Sequence, residues 1–311
     1  MSYLRYISRR LLYGILVLFL TFTGSFFLLF IIPGDAAGAL TTGGEGANLA
    51  AALQEQRELL GLDRPIQTQY LDALWSALHG DFGISFREKA PASTVYFEAF
   101  GNTLRLASVG LLLAIAVGLA VGLLTQVVHR SWLREALLAV PPLFVSLPIF
   151  LTALLLLQLF AFKLGLIEPF GDESLAGLVV AALCIAFPGG AHIAQLLAVN
   201  LERTMRSPYV ETLANWGLTR REILYRHGLK NAVLPVLTSF GTTVGNIFAG
   251  TVITETVFSR NGVGRIIVDA VNAKDIPVVL ISVTVSAAIF VVVNLLVDAL
   301  YPVIDKRIKV A

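Results

Sequence analysis

The chain has 311 residues, 56% of them apolar and 14% charged, with a mean hydropathy of +0.78 and a formal net charge of +2. Ordinary soluble domains carry about 25% charged residues, so a water-soluble globule is excluded. The net charge says little about nucleic acid, because Lys and Arg sit in short clusters between apolar runs rather than forming a basic domain.

A bilayer core of roughly 30 Å takes about 20 apolar residues as helix. Read with that ruler, the sequence predicts six spans, near 11–32, 103–128, 136–162, 175–198, 233–254 and 278–304. The first follows Arg5, Arg9 and Arg10 and precedes Ala36-Ala37-Gly38-Ala39, the flanks of a signal peptide. Its apolar run exceeds the roughly 7 to 15 residues of a signal sequence, so it reads as an uncleaved helix. The connection over 33–102 holds a Gly/Thr-rich stretch, Thr41 to Gly46, then amphipathic stretches from Leu49 to Leu60 and from Gln67 to Leu78. It is expected to form a small helical cap.

Span two repeats Gly110, Ala114, Gly118 and Gly122 at four-residue intervals, and span five repeats Gly241, Gly245 and Ala249. Such stripes let helix backbones approach closely in lipid, or line a path. Pro141, Pro142 and Pro148 in span three, and Pro188-Gly189-Gly190 in span four, predict breaks in the backbone ladder at membrane depth. Cys184, the only cysteine, lies in an apolar stretch and reads as a buried structural thiol.

The connection over 199–232 has its own helix signals. Ser207 is placed as an N-cap before Pro208, Val210, Leu213 and Ala214 give an apolar face, and Gly217 supplies a left-handed end. Thr219-Arg220-Arg221-Glu222 reads as a capping box opening a second helix that runs to about Lys230. A DNA-reading helix-turn-helix has similar grammar, but this unit is tethered between spans and its basic residues can face anionic lipid heads. Span five then shows Thr238, Ser239, Thr242, Thr243 and Asn246 on one polar face. That face either bonds across helices or lines a water-filled route. Asp298, one turn after Asn294, is an acid well inside span six, read as a structural pair near Lys306 and Arg307 or as an ion site.

Positively charged segments are retained in the cytoplasm. With the N-terminus inside, the inner segments hold fourteen of the 23 Lys and Arg and the outer ones eight, with Arg105 near the mouth of span two. Both termini are therefore expected in the cytoplasm. The sequence has no Gly-x-x-x-x-Gly-Lys-Ser/Thr loop, no His-Glu-x-x-His and no Gly-x-Ser-x-Gly, and its histidines (79, 129, 192 and 227) are scattered. No catalytic or metal-binding residue is nominated, and any ATP hydrolysis must come from a partner.

The stretch Glu211-Thr-Leu-x-x-x-Gly217 followed by Asn231-Ala-Val-Leu234-Pro235 resembles the Glu-Ala-Ala loop of ABC importer permeases, specifically the dipeptide/oligopeptide/nickel type. Further fragments follow in family order: Pro33-Gly34-Asp35, Leu60-Gly61-Leu62-Asp63-Arg64-Pro65, Gln69-Tyr70, Gly80-Asp81-Phe82-Gly83-Ile84-Ser85 and Ser146-Leu-Pro148-Ile-Phe150. Glu255-Thr-Val-Phe258, Gly262-Val-Gly264-Arg265, Asp275-Ile-Pro277, Asn294-Leu-Leu-Val-Asp298, Tyr301 and Asp305-Lys-Arg307 complete the set. Departures are Thr212 and Leu213 for two alanines, Trp216 at a commonly basic position, Arg260-Asn261 for Trp-Pro, and Lys306 for a Pro.

The resemblance implies an all-α integral membrane protein of six transmembrane helices with the type I ABC importer permease fold. Its parts would be a cytoplasmic N-terminus (1–10), a first span (11–32) and a periplasmic helical loop (33–102). A five-span permease domain (103–304), containing a cytoplasmic coupling loop (199–232), and a cytoplasmic tail (305–311) would follow. It implies a permease subunit forming half of a translocation path, not an enzyme, working with a second homologous permease, two ABC ATPase subunits and an extracytoplasmic substrate-binding protein. It would sit in the bilayer of a bacterial inner membrane, bind no nucleic acid and no cofactor, and leave ATP and Mg to the ATPases. Coupling residues would be Tyr209, Glu211, Leu213, Ala214, Trp216, Gly217 and Leu218, and candidate path residues Thr238, Thr242, Asn246 and Ser146. Di- and oligopeptides are the expected cargo, with nickel, metal chelates, glycosides or opines as alternatives. An ion-coupled secondary transporter is the rival class, resting on the Pro188–Gly190 break and Asp298.

Overall fold

The computed structural model describes residues 3–31 and 63–304, with side chains over 8–29 and 63–296. The stretches Pro33–Asp35, Ala36–Ala39, Thr41–Gly46 and Leu49–Leu62, the 305–311 tail and the side chains of Asp298 and Tyr301 lie outside the described residues. The described chain is helical: α1 (Tyr3–Ile31), α2 (Ile66–Leu78), α3 (Ala92–Val127), α4 (Ser131–Ser146), α5 (Ile149–Leu157), α6 (Leu175–Met205), α7 (Pro208–Asn215), α8 (Arg220–Val257), α9 (Val263–Ala273) and α10 (Ile276–Ile304). A π-helical turn, Gln158–Lys163, extends α5, and another, Ile223–Gly228, lies inside α8.

Helices α1, α3, α6, α8 and α10 are each long and apolar enough to cross a membrane. The sixth expected span is a broken pair: α4 and α5 pass the same test only together and meet at a bend of 102°. Of the three prolines in that stretch, Pro148 makes the break. Leu147, held before a proline, is extended at φ −75° and ψ 126°, and Pro148 follows at ψ 135°. Pro141 and Pro142 stay inside α4, and Pro188 inside α6, without interrupting either helix. Span edges also move: α3 begins at Ala92, and α8 continues from Arg220 where a separate helix ending near Lys230 was expected.

The described chain forms two compact units. One comprises Leu104–Arg260 and α10 from Val293. Its central helix is α6, which packs against α4, α5 and α8. The small-residue stripe of α3 is a packing surface in this unit: a Cβ built on Gly118 would lie 2.6 Å from the Ile193 side chain and 2.8 Å from the Gly190 carbonyl oxygen. Ala114 between Gly110 and Gly118 is fully buried. With no hydrophobic drive between helices in lipid, such backbone approach is what holds them.

The other unit comprises Ser8–Thr103 and Asn261–Val292. Here Ala92, Tyr96 and Ala99 of α3 pack with Val263 and Ala270 of α9 and with Val278 and Ile281 of α10. The start of α9 is tied to α3 by the Val263 N–H, which donates to Thr103 Oγ1 at 2.8 Å, and by Asn102 Nδ2, which donates to the Asn261 carbonyl at 2.8 Å.

Candidate functional site

Helix α7 is short, and its ends are fixed by the local sequence. Pro208 at the first position needs no N–H partner. Ser207 has the extended backbone of an N-cap, but its hydroxyl does not accept from the helix; it donates back to the Thr204 carbonyl, so the expected side-chain cap is not made. The other end is a complete Schellman motif. The Leu218 N–H donates to the Leu213 carbonyl at 3.3 Å and the Gly217 N–H to the Ala214 carbonyl at 2.9 Å, with Gly217 left-handed at φ +88°.

The next helix starts one residue later. Thr219 Oγ1 accepts from the Glu222 N–H at 3.3 Å, while Glu222 Oε2 accepts from the Thr219 N–H and hydroxyl, both at 2.9 Å. The capping box read from the sequence is therefore formed. Those hydrogen bonds, the backbone one first, hold the Glu222 carboxyl below the usual carboxylate range. Ile223 and Leu224 behind it are buried, Leu224 against Leu197, Leu201 and Ala232. Asn231 Nδ2 of α8 donates to the Tyr209 hydroxyl of α7 at 3.2 Å. Glu202, near the end of α6, meets Arg206 at 2.6 Å and Arg134 of α4 at 3.4 Å. Tyr209, Glu211, Ala214, Trp216 and Gly217 are exposed, Trp216 to 76%, while Leu213 and Leu218 are half-buried.

From this base α8 runs 38 residues to Val257. Midway it lines a cavity of about 400 Å³ with Thr243, Asn246, Ile247 and Gly250, facing Val145 and Ile149 of the α4–α5 break and Pro188, Gly189 and His192 of α6. Of the four candidate path residues, the structure puts Asn246 in this wall and the other three outside it. Thr238 and Thr242 are exposed on α8 and donate to the Leu234 and Ser239 carbonyls, and Ser146 donates to the Leu143 carbonyl. Thr243 and His192 were not nominated. The polar periodicity of α8 contained Thr243, but no pattern in span four marked His192.

Two anchors also escaped the sequence. Arg260, at a family departure, donates its guanidinium to the Asp172 carbonyl, and the Gly171 N–H donates to the Phe258 carbonyl at 2.8 Å. Hydrogen bonds from Ser174, its side chain first, together with Glu168 and the Arg260 charge, hold the Asp172 carboxyl below its ordinary range. In the other unit the Asp275 carboxylate, buried, accepts from the Ser85 hydroxyl at 2.5 Å and from the Phe86 and Arg87 N–H groups at 3.2 and 3.3 Å. It fastens the 83–91 loop to the α9–α10 corner.

The described residues contain no group of three or more His, Cys, Asp or Glu able to hold a metal ion. Residues 110–310 match the family model of the binding-protein-dependent transport system inner membrane component, and residues 3–107 match the N-terminal membrane component of such systems. The chain belongs to this family. The permease is 32% identical to the dipeptide transport system permease protein DppB of Alkalihalophilus pseudofirmus, over 98% of this chain and 99% of that one. It is 29% identical to the glutathione transport system permease protein GsiC of Escherichia coli strain K12, over 98% and 99%. Inward-facing structures of the MetNI methionine ABC transporter share its fold, at TM-scores of 0.57 and 0.55 with 16% and 18% identity, covering 68% and 65% of this chain and 97% and 93% of theirs. The permease is thus a multi-pass membrane subunit of the ABC importer type.

Proposed function

We propose that the permease forms half of the translocation path of an ATP-driven peptide importer, with α7 as the element on which a partner ATPase acts. The observation that carries this reading is mechanical continuity. An exposed helix, capped at its C-terminus, leads through one glycine turn into α8, and α8 reaches the cavity without a loop between. The Tyr209–Asn231 bond and the buried Leu224 brace that joint, so a displacement of α7 is passed to α8 rather than lost in bending. Tyr209, Glu211, Ala214, Trp216 and Gly217 are the docking surface, and Leu213 and Leu218 hold its underside. Trp216, 76% exposed, is the bulky anchor that a partner groove would bury.

ATP and Mg belong to two ATPase subunits. A second homologous permease completes the path, and an extracytoplasmic binding protein delivers cargo. Peptides are the cargo that the DppB and GsiC relatives support. The Lys and Arg distribution supports a cytoplasmic position for both termini and α7 in a bacterial inner membrane. Asn246 contacts passing cargo in the wall it shares with His192.

The test is uptake of a labelled dipeptide into proteoliposomes holding the permease, its partner permease, the ATPases and the binding protein. Uptake that requires ATP and survives collapse of the proton gradient is the expected result. Uptake that ignores ATP and follows the gradient would overturn the reading.

A further inference from the structure

Helix α2 lies beside α1. The Tyr70 hydroxyl and Thr23 Oγ1 share a hydrogen bond of 2.8 Å, and the Tyr70 ring meets Phe26 and Phe27 at centroid distances of 5.4 and 5.3 Å. Leu74 and Ala77 pack into the same cluster as Phe22 and Phe26. Thr23 lies within the apolar run of α1, which continues in sequence past Leu29 to Ile32, so the Tyr70 side of α2 meets α1 along its membrane-crossing stretch.

The neighbouring side of α2, about 100° round from Tyr70, Leu74 and Ala77, carries Leu71, Trp75 and Leu78, exposed to 60%, 67% and 73%. At about 100° per residue these three fall within an arc of about 60°, and Asp72 and His79 form the margin on one side. The margin is charged: Arg64 Nη1 donates to Asp72 Oδ2 at 3.3 Å. A tryptophan at the boundary of an apolar stripe and a charged edge suits the region between acyl chains and headgroups. Phe27 and Leu28 of the adjoining apolar α1 span are exposed as well.

We propose that α2 is a membrane-interface helix whose Leu71–Trp75–Leu78 face is immersed in phospholipid of the leaflet at the C-terminal end of α1. This rests on the membrane embedding of the chain and not on its cargo or coupling. The helix buttresses α1 from within the bilayer edge and leaves its Asp72 margin at the headgroups.

The chain has three tryptophans, so Trp132→Phe with Trp216→Phe leaves Trp75 as the sole emitter. The full chain is reconstituted in phosphatidylcholine and phosphatidylglycerol vesicles with or without lipid brominated in mid-chain. Brominated lipid should lower Trp75 emission about twofold while aqueous iodide leaves it nearly unchanged. Strong iodide quenching without a lipid effect would put the face in water, and shielding from both would mean that a protein covers it; either overturns the proposal. If the double variant misassembles, a nitroxide on Leu78→Cys gives the second reading, Cys184 being buried. Greater accessibility to oxygen than to a water-soluble nickel chelate supports lipid, and the reverse overturns it.

Discussion

Asn231 and Tyr209 are 22 residues apart, and the amide of the first donates to the hydroxyl of the second at 3.2 Å. That bond crosses the turn between α7 and α8, where the proposed lever meets the helix it drives. It is exposed, so it supplies about 0.5 to 1.5 kcal/mol. Tyr209→Phe and Asn231→Ala should each cut ATP-driven uptake about two- to tenfold while leaving ATP hydrolysis less affected. The double variant should be no worse than either single one, since both remove one interaction. Additive losses in the double variant would show that the pair does not act as a brace.

Gly217 is a sharper joint. Its φ of +88° suits glycine, and nothing lies within 4 Å of the position a Cβ would take. Any penalty there is therefore backbone strain and not a clash. Gly217→Val should abolish most uptake with the chain still inserted, whereas Gly217→Asn, which tolerates left-handed backbone, should retain more. Equal uptake by wild type and the valine variant would remove the lever role from this turn.

The Glu222 cap has a defined pH window. Its carboxyl is held below the ordinary range, so the ionised form is what the folded loop binds. The cap's contribution is then complete above the unfolded value of about 4.3 and is lost as pH falls through the lower folded value. Amide exchange at Thr219 and Glu222, corrected for intrinsic rates, should stay constant from pH 7 to 5 and rise below about pH 4. Glu222→Ala should show the raised exchange already at pH 7. Exchange that climbs between pH 7 and 5 in the wild type would point to another group.

Asn246 and Thr238 separate the cavity wall from the rest of the polar face of α8. Asn246→Leu should lower uptake severalfold and alter preference among peptides, because only Asn246 of the two lines the cavity. Thr238→Val should change little, since its hydroxyl is already engaged with the Leu234 carbonyl at 3.1 Å. The reverse ranking in a competition assay would place the path on the outer stripe.

Hydropathy marked the spans because lipid demands long apolar runs, and the Thr219–Glu222 box and Gly217 were legible because capping is local chemistry. Three prolines stood in span three, and nothing local singled out Pro148; the break appears there because two successive extended residues, Leu147 and Pro148, turn the chain. Helix α8 did not stop at Lys230, since its π-helical turn carries the backbone on from the cap. Periodicity gave α8 a polar face but not its neighbours, so it does not show that Thr243, rather than Thr242, meets the cavity. Arg260 with Asp172 and Ser85 with Asp275 join residues 88 and 190 positions apart, which no local pattern can announce.

The Asp275 carboxylate is the hub of the last test. It is 2% exposed and takes one hydroxyl and two backbone N–H groups of the 85–87 segment, so the loop and the α9–α10 corner share one buried charge. Asp275→Ala leaves Ser85, itself 1% exposed, and two N–H groups without their acceptor, at a cost of about 1 to 3 kcal/mol for each group that stays dry. Ser85→Ala removes one donor to Asp275 and the acceptor of the Glu88 N–H, and should cost about 1 to 2 kcal/mol, less than the loss of the carboxylate. Protease cutting within 83–91 should rise strongly in Asp275→Ala and weakly in Ser85→Ala, with the spans still intact. Equal cutting in wild type and Asp275→Ala would show that the loop is held by its other contacts.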